Sequence, residues 1–375
     1  MPRTRVILLF LALIALGCDS KPKAPTFVPP EREPEGPTYE IELQPLTPLA
    51  VGRQTHVVVD SLGNICWVQE SPKADDILFI MGEDKIPRST TLTVPRICDA
   101  LGEPGGTGNI QSIAAARNGE IYFYFSGARA RKTLTALGLY SNRTGAIRII
   151  DDSDALMSGT GFGKSIALAR GTVISQGNTF WLWVRHTDDS CLLRLRYPDI
   201  PARGNLPLES RVLNVRFGDR KQDLTSPDYA LAPAGEETVY WLDRAESMLY
   251  TIDQNGQVKM FKSLVGLPVA MSLPMKTAPE EMMLFFADAP AAEVKNLRQL
   301  DLPRVKVRTT FPAMVILERD VVRTVPRERI SSYPGLSLSA MRVGELAAVE
   351  KGKGWVAYDS VSGQLLRMTM RQRQL

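Results

Sequence analysis

The chain has 375 residues, with 45 Lys and Arg against 41 Asp and Glu and a formal net charge of +4. That near balance excludes a chain-wide field for nucleic acid or anionic lipid. Two histidines and four cysteines exclude a histidine-built zinc site and a dense disulfide scaffold.

Residues 1–17 have the layout of a secretory signal, with Arg3 and Arg5 ahead of an apolar run from Val6 to Leu16. The run is shorter than the roughly 20 residues a spanning helix needs, so it reads as a segment to be removed. Ala15-Leu16-Gly17-Cys18 resembles the bacterial lipobox, in which a small residue precedes a cysteine that is acylated before cleavage. The family has leucine and then a small residue at the two earlier places; here Ala15 and Leu16 hold them in swapped order. The resemblance implies lipidation at Cys18 and a lipoprotein of the cell envelope, anchored by palmitate-type chains and facing the periplasm or the exterior. Asp19 resembles an inner-membrane retention signal of enteric bacteria, and inner and outer membranes both stay open.

Residues 18–37 form the lipidated cysteine and a linker. Six prolines lie between Pro22 and Pro37, among Lys, Glu and Arg. Proline favours extended polyproline II, so at about 3.1 Å per residue the linker reaches on the order of 60 Å.

Residues 38–375 are expected to form one large β domain. Tyr39-Glu-Ile-Glu-Leu43 alternates in period two, and such a strand is expected to complete the last sheet and remove exposed edges. Beyond it, aromatic and β-branched runs recur at Ile65–Val68, Ile121–Tyr124, Phe180–Val184, Val239–Leu242, Met283–Phe286 and Trp355–Tyr358. Their centres lie about 56, 60, 58, 44 and 72 residues apart, a long period that marks a repeat architecture.

Each unit reads as a weakly apolar strand, a turn, the aromatic strand, a second turn and two further strands. The clearest copy places strands at Tyr229–Ala232, Val239–Leu242, Met248–Ile252 and Gln257–Phe261, with turns at Gly235–Glu237, Asp243–Ser247 and Asp253–Gly256. Asn118-Gly119 and Asn255-Gly256 offer the positive φ of tight hairpins; Ser141–Gly145 and Ser360–Gly363 are looser versions. Ala291–Leu300 is the best helical candidate, and it is short. Six four-stranded antiparallel units that cannot hide their faces alone predict an all-β, six-bladed β-propeller.

Val239-Tyr-Trp-Leu-Asp243, Leu249–Gly256, Leu284-Phe-Phe-Ala-Asp288 and Trp355–Met368 resemble blades of NHL and SMP-30 propellers. An aspartate that closes the aromatic strand is expected to cap the turn through backbone N–H groups. The SMP-30 resemblance implies an alternative activity, a metal-dependent lactonase or hydrolase with Glu, Asn and Asp converging on a divalent cation. Its asparagine-glycine signature is not reproduced before Leu284 or Trp355, so no ligand residue carries over. The tryptophan-docking repeats of quinone-dependent propeller dehydrogenases are absent.

Gly159–Ser165 looks like a phosphate loop but has Ser158 where glycine is required, and Arg170-Gly171 ends the segment where a helix should follow. His56 and His186 sit in no recognised nucleophile setting. Asp151-Asp152-Ser153-Asp154 lacks the glycine and distal glutamate of a calcium loop and reads as a solvated turn; Arg194–Lys221 reads as a solvated basic loop. After Cys18, Cys66, Cys98 and Cys191 allow one disulfide or three buried thiols. The expectation is a membrane-tethered, monomeric, non-catalytic propeller with no cofactor and no nucleic-acid partner, whose loops bind an envelope protein, peptide or glycan.

Overall fold

The structure is a computed structural model. It describes residues 38–47, 54–71, 74–152, 166–168, 174–176, 179–186, 191–198, 209–222, 229–233, 237–243, 246, 248–263, 267–271, 281–287, 310–316, 321–324, 330–332, 343–348, 354–359 and 362–373. The signal, Cys18, the linker, the glycine-rich 159–165 loop and the 291–300 helix candidate lie outside these. Residues 39–373 form one compact unit.

Among the described residues, six sheets of four or five strands follow one another along the chain. The first strand, β1 (Thr38–Pro45), belongs to the last of them. Blade 1 comprises β2 (Gln54–Val59), β3 (Ile65–Ser71), β4 (Ala74–Met81) and β5 (Pro87–Thr93). A short helix, α1 (Val94–Ala100), leads to blade 2, made of β6 (Thr107–Ala115), β7 (Glu120–Arg129), β8 (Lys132–Ser141) and β9 (Ile147–Asp152). Blade 3 has β10 (Ile166–Leu168) and β11 (Ile174–Gln176) on one edge of β12 (Thr179–His186), then β13 (Cys191–Pro198) and β14 (Glu209–Leu213). A hairpin of β15 (Arg216–Phe217) and β16 (Arg220–Lys221) follows.

Blade 4 holds β17 (Tyr229–Pro233), β18 (Val239–Asp243), β19 (Met248–Ile252) and β20 (Val258–Ser263). Blade 5 holds β21 (Leu267–Met271), β22 (Glu281–Ala287), β23 (Thr310–Ile316) and β24 (Val321–Thr324). Blade 6 runs in the order β25 (Ile330–Ser332), β1, β28 (Gln364–Arg373), β27 (Gly354–Asp359), β26 (Val343–Ala348).

All six aromatic runs lie on the second strand of a blade, and where their side chains are described the physical reason is burial on both faces. In β7, Ile121, Phe123 and Phe125 pack toward blade 1, while Tyr122 and Tyr124 pack toward blade 3. Neither face meets water, so polar alternation disappears. Phe123 lies across from Gly138 of β8, where an added Cβ would stand 2.1 Å from the ring. The glycine makes room for the aromatic on a face closed by the next sheet.

Shared cores link successive blades: 1 with 2, 2 with 3, and 3 with 4. The first strands of blades 4 and 5, and of blades 5 and 6, adjoin as well. Blade 6 returns to blade 1 through Val356, Tyr358 and Leu365 against Val57, Ile65 and Trp67, so the sheets close a ring and the fold is a β-propeller.

The ring is sealed by β1, as its alternation predicts. It pairs with β28, burying Ile41 and Leu43 completely, and Arg371 reaches Glu42 at 2.8 Å. Beyond it Leu46 donates to the Leu365 carbonyl at 2.7 Å, and Thr47 Oγ1 accepts from the Leu365 amide at 3.3 Å.

The turns carry the chemistry expected of them, with one difference. Asn118 and Gly119 both have positive φ (57° and 74°), whereas at Asn255-Gly256 only the glycine does (80°). There Asp253 supplies the cap instead, accepting from the Asn255 and Gln257 amides at 2.8 and 3.0 Å. Helix α1 was not foreseen. Its signal is Pro95 in the first turn after Thr93, and it buries Val94, Ile97 and Cys98 against blades 1 and 2.

Candidate functional site

The aspartates at the ends of the blade strands are turn caps. Asp60, following β2, accepts from the Leu62 and Asn64 amides at 2.9 and 2.8 Å, and from the Asn64 and Asn142 side-chain amides at 2.9 and 3.3 Å. Asp243 and Asp359 close aromatic strands; the first accepts from the Glu246 amide at 3.0 Å and the second from the Ser362 amide at 3.1 Å. All three are buried. A buried carboxylate oriented by backbone N–H groups is satisfied where it stands.

Asp76 is a different device, and the sequence did not single it out. It projects from β4 of blade 1 to accept from the Ile110 amide of blade 2 at 2.9 Å, at the point where the β6–β7 register shifts. The bulge leaves an amide in need of an acceptor, and the neighbouring blade provides it. Burial pushes the Asp76 carboxyl above the ordinary carboxylate range; the Ile110 amide and His56 pull it back, while Glu70 and Asp75 push it further up. A group whose pKa is raised by folding contributes its full stability below the unfolded value and loses it as pH rises through the folded value. At neutral pH the charge on Asp76 is therefore a liability. Asp76→Asn keeps an oxygen for Ile110, so it is expected to melt above the parent at neutral pH. That advantage should vanish once pH falls below the ordinary Asp pKa of about 3.9; equal melting temperatures at neutral pH would contradict it.

The junction of blades 3 and 4 holds the most distinctive cluster. Arg194 of β13 is nearly inaccessible, with 4% of its side chain exposed. Its guanidinium lies 4.1 Å from the Trp181 ring centroid and 5.9 Å from that of Trp183. It donates to Glu237 of blade 4 at 2.8 Å and, more weakly, to Glu209 of β14 at 3.5 Å, while Nε has no hydrogen-bond partner among the described residues. Arg196 approaches Trp181 at 5.6 Å. The reading of Arg194–Lys221 as a solvated loop is corrected on this point: Arg194 is a buried strand residue that latches two blades. A legible signal existed in Cys191-Leu-Leu-Arg-Leu-Arg196, where a strand otherwise apolar on both faces carries two arginines two positions apart.

From Glu209 onward the same segment turns outward. Arg216 donates its amide to the Gly256 carbonyl at 2.9 Å and pairs in parallel with Gln257, hanging the β15–β16 hairpin on the β19–β20 turn. Phe217 meets Tyr250 edge-on at 5.9 Å, and Tyr250 stacks on Trp241 at 4.8 Å. Phe217 and Met260 remain about half exposed.

Of the other residues weighed from sequence, His56 lies half-buried in β2, and His186 ends β12 opposite Cys191. Asp151 and Asp152 are strand residues of β9, not a solvated turn, and Ser153 and Asp154 lie outside the described residues. Cys66, Cys98 and Cys191 are buried and form no disulfide with one another, the second of the two alternatives. Burial, with Asp60 adding to it, holds the Cys66 thiol well above its usual pKa. Among the described residues no three His, Cys, Asp or Glu side chains gather as a metal site, and no helix is long and apolar enough to cross a membrane.

No protein family and no curated protein sequence matches the chain. In structure it is similar to a protein of unknown function from Bacteroides thetaiotaomicron, at TM-score 0.51 and 12% identity over 90% of this chain and 77% of that one. A DUF4623 family protein from Bacteroides eggerthii gives TM-score 0.51 and 11% identity over 86% and 71%. Regucalcin, a calcium-binding protein from Agrobacterium tumefaciens, gives 0.47 and 10% over 89% and 96%. These likenesses are of fold.

Proposed function

We propose that the protein is a lipid-tethered, non-catalytic propeller of the cell envelope that presents its turns and hairpins to a protein, peptide or glycan partner. The carrying observation is the use made of its carboxylates. Asp60, Asp243 and Asp359 each commit a carboxylate oxygen to backbone amides of their own turns, and Asp76 commits one to the next blade. Side chains committed in this way build a stiff platform, and they are not the convergent oxygen set that a divalent-cation hydrolase requires. The lipobox-like 15–18 segment and the proline-rich linker support the tether.

Two measurements on the full chain test the reading. In a bacterial host, the parent is expected in the membrane fraction and the Cys18→Ser variant in the soluble periplasmic or secreted fraction, or retained by its uncleaved signal without acyl mass. Acyl chains absent from the mature Cys18 of the parent would end the tether. Metal analysis with lactone and ester substrates tests the other half: stoichiometric divalent metal with turnover abolished by a chelator would replace the platform with the hydrolase.

A further inference from the structure

We infer that the β15–β16 hairpin is a second membrane contact, one that sets Phe217 into an anionic lipid surface. It goes beyond acyl tethering and stands or falls apart from it.

The hairpin joins an unusual pair of properties. Between Glu209 and Gln222, Arg211, Arg216, Arg220 and Lys221 are all exposed, and β20, which adjoins β15, carries the exposed Lys259. The acids within that segment are Glu209 and Asp219, and Glu209 already faces Arg194. With these cations stand Phe217, 48% exposed, and Met260, 59% exposed.

Phe217 does not collapse onto the wheel. Its ring rests edge-on against Tyr250, itself stacked on the buried Trp241, so an aromatic column props it outward. Met260 is the cross-strand partner of that same Tyr250, so both exposed apolar residues neighbour one ring. The base is held by the Arg216–Gly256 bond and by the Gln222 amide on the Val215 carbonyl at 2.8 Å.

Apolar side chains ringed by long cationic ones are the composition of an interfacial membrane contact, in which rings enter the headgroup boundary and cations meet lipid phosphates. Each cation near an anionic leaflet adds about 1 kcal/mol. A stable protein partner needs roughly 800 Å² on each side, far more than two paired residues per strand provide. The small size of the hairpin therefore favours lipid over an acidic protein.

The test uses the full chain carrying Cys18→Ser, so acylation contributes nothing and its presence or absence in the native protein cannot decide the result. Flotation is measured with vesicles of phosphatidylcholine alone and of phosphatidylcholine mixed with phosphatidylglycerol. The anionic vesicles are expected to bind more protein. Phe217→Ser with Arg220→Glu and Lys221→Glu should weaken that binding about tenfold or more, while leaving unchanged the background on neutral vesicles, which reports the apolar segment at residues 6–16. Arg131→Glu with Arg143→Glu makes the same charge change in blade 2 and should stay within about twofold of the parent. Should the triple variant melt lower than the parent, Arg220→Gln with Lys221→Gln is read in its place, with a loss of about threefold or more expected. Anionic-vesicle binding unaffected by the hairpin variants, or lowered as much by the blade 2 pair, overturns the inference. Hairpin-dependent retention on an acidic polypeptide without hairpin-dependent flotation overturns it too, and assigns the patch to a protein.

Discussion

Replacing Ile41 and Leu43 together by alanine is expected to cost about 4–8 kcal/mol of unfolding free energy. Both side chains are fully buried on one face of β1, and each truncation removes transfer free energy and leaves a void the sheet closes over only in part. They sit two residues apart on one face of β1, so the effects need not add. Native domains have about 5–15 kcal/mol in total, which puts the double variant near the threshold of folding. The reason lies in topology. Without β1, blade 6 loses the strand between β28 and β25, and an open edge replaces the seal. The closing bonds join residues 318 positions apart, so the variant should also refold more slowly at matched stability if closure is part of the barrier. Urea unfolding measures both; a loss below about 1 kcal/mol for the pair would show that the ring holds without its seal.

At the junction of blades 3 and 4 an asymmetry is expected. Glu209→Gln with Glu237→Gln leaves the Arg194 guanidinium buried against Trp181 and without a counter-charge. That costs on the order of 3 kcal/mol, at the low end of the range for a broken buried pair because both carboxylates are half exposed and water replaces part of what is lost. Arg194→Met with both glutamates intact is expected to cost under about 1 kcal/mol, since a flexible thioether fills the same space against the rings and the glutamates turn to solvent. Thermal or urea denaturation of the two variants decides it. If Arg194→Met proves the more damaging of the two, the cation's stacking on Trp181 outweighs its desolvation, and the cluster is an attractive anchor instead of a tolerated one.

These effects fall where local sequence reasoning is weakest. The turn role of Asp243 and Asp359 was readable because each lies a few residues from the amide it accepts from, and Asp60 follows the same rule; local side-chain to backbone bonds leave a short-range pattern. Asp76 left none, since its partner is 34 positions away in another sheet. Arg194 was legible only as an oddity within an apolar strand, because its burial depends on where Glu237 comes to rest. The outward turn of Phe217 depends in the same way on Tyr250 and Trp241 standing beneath it.

What the amino-acid sequence determined by itself is the repeating grammar: six continuous aromatic strands, the polar turns between them, and an alternating first strand with a face to bury. Those are properties of neighbours in the chain, set by pleat, turn geometry and the need of a twice-covered strand to be apolar throughout. Only the tertiary structure decided which carboxylates latch one blade to the next, which arginine is swallowed at a junction and which hairpin is held out to the surroundings. Each of these is fixed by contacts between separate sheets, and periodicity along one strand carries no record of what packs across from it.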